Sequence, residues 1–450
     1  MAILFALPAV GVGVLPGRIR RFGMPRTGLV RSVYAQQNRG DALPVSGGQP
    51  TALQCGQLER SSPRDGSHKH VMRIMFFGTY EARRHERVKV LSEGLAARGH
   101  EVFECNVPLR IGTVMRVRIL RWPILVPLLV ARVLLCWARL VPRALLSHDP
   151  DVVLVGYLGQ FDVMLARLLW PRTTIVLDHW LPSAEVAQDR GLTGRWREGP
   201  LNGIDHIAMS AASIVLVDTE EHRGLLPPRF RGAAVVVPIG APYAYFQEPR
   251  RIDEAPMRVV FFGTYTPLHG TPFIAQAIGL LDDRADIRVT MIGQGRDYAR
   301  SRRIIGEDER VNWIDWLEPR GLARELAQHH ICLGIFGVTE KAARVVPTKI
   351  YQGAAAGCAI VTGSNPAQER ALGSVGFMVP RGDPAALADT LSMLAKRPDL
   401  VAAARRETAR VAEGFSPFET VFPLHRRLLD LPSPTGQLLH KPSSRQQPGT

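Results

Sequence analysis

The chain has 450 residues, 46% of them hydrophobic and 22% charged, and a formal charge of +15 from 56 Lys and Arg against 41 Asp and Glu. That is more than one hydrophobic core usually fills, so two domains are expected, with a composition typical of globular proteins. The basic balance fits nucleic acid, an anionic membrane surface or a phosphorylated small substrate, while five scattered cysteines with no metal-ligand spacing argue against a zinc or disulfide scaffold.

The opening MAILFALPAVGVGVLPG carries its positive charge after the apolar run, in RIRR, which is the reverse of a secretory signal. Residues 1–70, rich in Gly, Pro, Ser, Gln and Arg, are expected to be a disordered extension ahead of the first domain. At Met72 the pattern changes. MRIMFFGTY reads as a buried strand that ends in a tight turn, followed by the helical spacing of Val88, Leu91 and Leu95 in ERVKVLSEGLAARG. EVFECNV, DVVLVGYLG, TTIVLDHW, ASIVLVDTEEH and AAVVVPIG read as further parallel strands.

Between Val107 and Ser147 lie seven arginines and no acidic residue, around the apolar WPILVPLLVA. Ten apolar residues fall short of the roughly 20 that span a bilayer. The segment reads instead as a basic, apolar element for an anionic membrane interface, or as a core helix whose arginine heads reach solvent.

QEPRRIDEAP, residues 247–256, reads as a linker. MRVVFFGTY then repeats the opening of the first half 185 positions later, and ADIRVTMIG, RVNWIDW, ICLGIF, CAIVTG and VGFMVP follow as strands. PAALADTLSMLAKRP reads as a surface helix, and Pro423 interrupts the helical PFETVFPLHRRLLDL. The expected architecture is α/β. Residues 71–246 and 257–416 form two Rossmann-like domains facing a cleft, residues 417–431 form a helix packing back on the first domain, and 432–450 form a disordered tail. Ligands of open α/β sheets sit beyond the carboxyl ends of the strands.

In the segment 334–363, Lys341, Arg344 and Lys349 stand between an apolar strand and a Gly/Ala-rich helix. Cations and helix N-terminal amides there suit a departing diphosphate. Gly293 and Gly295 suit a phosphate or ribose turn, though the full dinucleotide fingerprint is missing. Trp316 is a candidate to pack beside a nucleotide. After the first GTY, Gly78 and Thr79 lead into Glu81, Arg83, Arg84 and His85, with Arg84 the candidate for acceptor binding. Asp178 and His179 follow another strand on the same side.

FFGTYTPLHG (261–270), MIGQG (291–295) and VPTKIYQGAAAGCAIVTG (346–363) resemble the retaining nucleotide-sugar glycosyltransferases called family 4, of the glycosyl transferases group 1 and the GT-B fold. The resemblance spans about residues 72–431 and is looser in the first half. It implies an acceptor domain followed by a donor domain. Gly263 and Thr264 then begin the donor loop, and His269 and Gly270 stand where many relatives have Lys-Gly. Pro347, Lys349 and Gln352 lie in the donor helix region. The family's two glutamates, eight residues apart, fall here on Arg344 and Gln352, so Lys341, Arg344 and Lys349 would take over the diphosphate, or the protein would be inactive or use a different sugar geometry. His179 stands where relatives often place a histidine near the transferring sugar.

The implied reaction is transfer from a nucleoside-diphosphate sugar with retention, without a cofactor or bound metal. The acceptor is a cell-envelope, lipid-linked or small-molecule one, met in the cytoplasm at the inner membrane face. A nucleotide-sugar 2-epimerase-like isomerase and a non-catalytic nucleotide-sugar-binding protein are the alternatives. No nucleic-acid partner is expected, since the basic residues are not interleaved with aromatics on a recognisable module.

Overall fold

The computed structural model describes residues 71–81, 85–111, 126–156, 159–180, 182–189, 195–246, 255–282 and 285–431. Most of the 247–256 linker, the 1–70 extension, the 432–450 tail, Arg83 and Arg84 therefore lie outside the described residues.

Each half is built on a six-stranded, wholly parallel sheet. In the first half the strands are β1 (Arg73–Gly78), β2 (Glu101–Asn106), β3 (Val152–Val155), β4 (Thr174–Asp178), β5 (Ile214–Val217) and β6 (Ala234–Val236), in the order β2-β1-β3-β4-β5-β6. The second half has β7 (Met257–Phe262), β8 (Ile287–Ile292), β9 (Val311–Ile314), β10 (Ile331–Leu333), β11 (Ala359–Gly363) and β12 (Phe377–Val379), in the order β12-β11-β10-β7-β8-β9. Ile74, Met75, Phe76 and Phe77 are all buried, as are Val259, Val260, Phe261 and Phe262. A strand covered on both faces must be apolar on both, which is why the two copies of the repeat read as continuous runs rather than alternating ones. Helix-length segments separate the strands, as parallel pairing requires.

The helix Pro384–Ala395 buries Leu387, Ala388, Leu391 and Leu394 in the second core, so it is half core rather than a surface element. The end of the chain is two helices, Pro417–Thr420 and Phe422–Leu429, with Pro423 in the first turn of the latter, where its missing N–H costs nothing. Both pack on the first half. Val421, Leu424 and Leu428 join the core of Ile74, Phe76, Val88, Leu91 and Leu95. Arg98 donates to the Phe418 carbonyl at 2.8 Å, and the His100 and His425 rings meet at 2.9 Å between Nε2 and Nδ1. A Cβ on Gly94 would lie 2.2 Å from the Pro417 carbonyl oxygen, so glycine is what lets this segment dock on the helix Glu86–Ala97.

The arginine-rich segment holds the helix Val126–Leu145, with Leu129, Val133, Cys136 and Leu140 turned inward, as its core-helix reading expects.

Candidate active site

A cavity of about 250 Å³ opens where the two sheets face each other. Trp180, Asp218, His222 and Ile239 line it from the first half, and Gly263, Thr264, His269, Lys341, Pro347 and Lys349 from the second.

The floor on the second side is set by close backbone contacts. β7 ends at Gly263, whose φ of +151° suits glycine. A Cβ there would lie 2.8 Å from the His269 ring and 3.3 Å from Lys349 Nζ, so the bare residue makes room for both basic heads. Gly293 (φ +110°) and Gly295 do not line the cavity. Cβ atoms on them would stand 2.0 Å from the Gly263 carbonyl oxygen and 1.7 Å from that of Thr264. The two glycines of GQG thus support the Gly263–Thr264 turn from behind. Gly270 caps the helix Thr271–Gly279 in the left-handed region, pressed against Gly337.

Lys349 is 3% exposed, in the first turn of the helix Thr348–Ala355, and its Nζ lies 4.7 Å from the centre of the Phe261 ring. Burial pulls its pKa down to about 7, with Cys332 opposing. The His269 imidazole is held well below its usual range by burial and by the charges of Lys349 and Lys341, and its Nδ1 has no hydrogen-bond partner. Pro347 caps the Thr348–Ala355 helix without a side-chain acceptor, leaving its first amides and the positive end of its dipole toward the cavity. Lys349 and His269, held close together at a helix start, are groups of the kind that suit an anion.

The opposite wall is a chain of charges across the cleft. Asp218 accepts a short hydrogen bond from His222 Nδ1, and His222 Nε2 lies 3.7 Å from Glu185 Oε2. Glu185 Oε1 accepts from Arg344 Nη2 at 2.6 Å. Thr219 Oγ1 accepts from the His222 amide at 3.2 Å and donates to the Arg344 carbonyl at 3.3 Å. Burial pulls His222 down, but Asp218 and Glu185 outweigh it and hold it up at about 9. Burial likewise pushes Glu185 up, yet His222, Lys341 and Arg344 bring it down to about 2. Glu221 and Arg370 form a further ion pair between the halves.

The cationic trio expected from sequence therefore divides. Lys341 and Lys349 face the cavity, while Arg344 is committed to Glu185. At the position where the resemblance puts a glutamate, this chain has an arginine, whose shorter ion pair is with Glu185 of the other half and whose longer one, at 4.0 Å, is with the exposed Glu340. Asp178 is buried in an ion pair with Arg87, whose Nε–H is shared between its two oxygens at 2.8 and 3.0 Å. His179 is buried and does not line the cavity; its Nδ1 is unpartnered, and its pKa is lowered by burial, with Asp205 opposing and His222 adding to the fall. Thr79 is occupied too: its amide and hydroxyl both donate to Asp162, at 2.7 and 2.9 Å, and Gly78 packs against the same carboxylate. Gln352 is buried in its helix, and Trp316 is 44% exposed and does not line the cavity. Trp180, His222 and Glu185 are the site residues that sequence reasoning passed over. The i,i+4 spacing of Asp218 and His222 was the available signal for one of them.

Among the described residues, no group of His, Cys, Asp and Glu is arranged to hold a metal ion.

Two parallel sheets of this order around one cleft define a GT-B arrangement. Residues 256–397 match the family described as glycosyl transferases group 1. In fold it is similar to a sucrose-phosphate synthase from Thermosynechococcus elongatus, at 13% identity and a TM-score of 0.58, over 80% of this chain and 99% of that one. Anabaena HepE, solved in complex with UDP and glucose, aligns at 12% identity and 0.56, over 80% and 100%. A glycosyltransferase from Rickettsia africae aligns at 13% and 0.53, over 81% and 100%. No curated protein matches the sequence.

Proposed function

We propose that the cavity seats the diphosphate of a nucleoside-diphosphate sugar, and that the sugar passes with retained configuration to an acceptor held by the first half. The observation that carries this reading is the buried, uncompensated Lys349 beside His269 and an uncapped helix start. A leaving diphosphate there returns the lysine to its charged form and is stabilised by it, which is electrostatic catalysis in a water-poor site. Among the described residues lining the cavity, the carboxylate is Asp218, and it is engaged by His222. A double displacement through a free carboxylate nucleophile is therefore disfavoured. In this reading the leaving diphosphate accepts the acceptor's proton on the same face, and the protein's own basic groups meet the diphosphate charge.

The same proposal places the enzyme in the cytoplasm, at the inner membrane face, working in cell-envelope glycan or glycolipid synthesis. Leu128, Val130, Leu134 and Leu135 are exposed on the Val126–Leu145 helix, among Arg132, Arg139 and Arg143. That mixture suits an anionic lipid surface. Among the described residues, no helix is long and apolar enough to cross a membrane.

The test is a panel of UDP and GDP sugars with the full chain, read by calorimetry and by mass analysis of products. Anomeric configuration is then read by NMR, and vesicle co-sedimentation is run with anionic and neutral lipid. Binding of a nucleotide sugar that Lys349→Ala abolishes is expected. Turnover of a sugar with the nucleotide still attached would mean an isomerase and would overturn the transfer reading.

A further inference from the structure

A second cavity, of about 430 Å³, lies in the first half, away from the residues just described. Four arginines, Arg110, Arg132, Arg139 and Arg143, stand around it, over a floor that includes Leu109 and Cys136. Arg132, Arg139 and Arg143 fall on one stripe of the Val126–Leu145 helix, at spacings of seven and four. Like charges on adjacent turns destabilise a helix unless something of opposite sign meets them. From Val107 to Ser147 there is no acidic residue, and the buried Asp162 that meets this helix accepts from Trp137 Nε1 at 2.8 Å and from Thr79. Arg143 donates to the Asn106 carbonyl at 3.1 Å, which satisfies one donor of a guanidinium that has five.

The position of the cavity points to its use. Its loop wall leaves the carboxyl end of β2, and the amides of Val107 and Leu109 donate to the carbonyls of Gly78 and Thr79 at the end of β1. The four arginines are therefore gathered at the edge of the sheet where an α/β domain receives ligands. Arg110 itself is held at a φ of +48°, in the left-handed region that a side-chain-bearing residue seldom adopts.

We propose that this cavity binds the phosphate group of an acidic acceptor, a phosphate ester whose carbon part lies along the apolar floor. Arginine forks match phosphate oxygens in pairs, and four of them around one space suit one such group rather than a diffuse surface charge. This rests on the reading of the first half as the acceptor side. The phosphate could be borne by a lipid or by a soluble ester, and the experiment separates the two.

Full-length protein is titrated with glycerol 3-phosphate, with dihexanoyl phosphatidic acid below its micelle concentration, and separately with UDP, each against wild type and Arg139→Gln/Arg143→Gln. Both substituted side chains are exposed, so the fold is expected to survive. At least one phosphate ester is expected to bind, at least tenfold more weakly to the double variant, with UDP affinity unchanged. Tighter binding of the lipid assigns a lipid-borne phosphate, and equal binding assigns a soluble ester; either upholds the site. If neither ester binds, or the double variant binds as wild type does, the proposal is overturned. Failure of UDP to bind wild type would instead sink the donor-site reading.

Discussion

Replacing Lys349 by methionine, which has similar bulk and no charge, should make the ligand-free protein more stable while it destroys donor binding. The fall of the lysine from its ordinary 10.5 to about 7 corresponds to about 5 kcal/mol spent on holding the protonated amine in this site. Contact with the face of Phe261 returns up to about 2 kcal/mol, so a net gain of about 3 kcal/mol is expected for Lys349→Met. The sign with pH follows from linkage. Between about pH 7 and 10.5 the unfolded chain binds the proton that the folded chain does not, so wild-type stability rises with pH across that window. The penalty is complete below about pH 7 and fades toward pH 10.5. Urea denaturation at pH 6, 7, 8.5 and 10 should show the variant's advantage largest at pH 6 and shrinking steadily above pH 7. Calorimetry of UDP binding should show proton uptake in wild type above pH 7 and none in the variant. A variant less stable than wild type at pH 6, or an advantage independent of pH, would refute the claim that this lysine is a strained, unneutralised cation waiting for an anion.

The charge chain across the cleft makes a second prediction. His222, held at about 9 against an ordinary 6.5, contributes stability that is complete below pH 6.5 and lost as pH rises through 9; wild type should lose about 3 kcal/mol more than His222→Gln over that window, and the imidazole NMR signals should titrate near 9 rather than 6.5. Glu185→Gln and Arg344→Met, taken singly and together, should show a coupling of about 1–3 kcal/mol in denaturation, and simple additivity would mean the 2.6 Å contact carries no energy. Gly293→Ala forces a methyl group to within 2.0 Å of the Gly263 oxygen at an unfavourable φ, so it should cost more than about 2 kcal/mol and weaken UDP binding together with stability.

Strands were the most legible part of the chain, because a fully buried parallel strand leaves a run of apolar residues that little else mimics. The doubled MRIMFFGTY and MRVVFFGTY became β1 and β7, and each delivers the chain to a positive-φ glycine, Gly78 or Gly263. The place of Lys349 at the cavity was legible as well, since it leads into a Gly/Ala-rich helix that follows a strand. Partners far apart in sequence were not legible. Glu185 sits on a short polar helix with no periodic signal, and its meaning comes from Arg344, 159 positions away. Thr79 and Asp178 were read as facing ligand because each follows a strand. Nothing local announces that Asp162 and Arg87 already occupy them. A site residue named from its position is one whose internal partners have not yet been counted.

The return of the last helices to the first sheet has a consequence for how such a protein can be recombined. The first half is not a contiguous gene segment: its core closes with Val421, Leu424 and Leu428, which are encoded after the whole second half. A fragment ending at the 247–256 linker would leave the faces of Val88, Leu91 and Leu95 bare and so be prone to aggregate. Exchanging the second half between relatives therefore means cutting the gene at two places, once near the linker and once near Ser416. The inserted piece is tethered at both of its ends, so opening of the cleft is confined to rotation about two strands of chain rather than one.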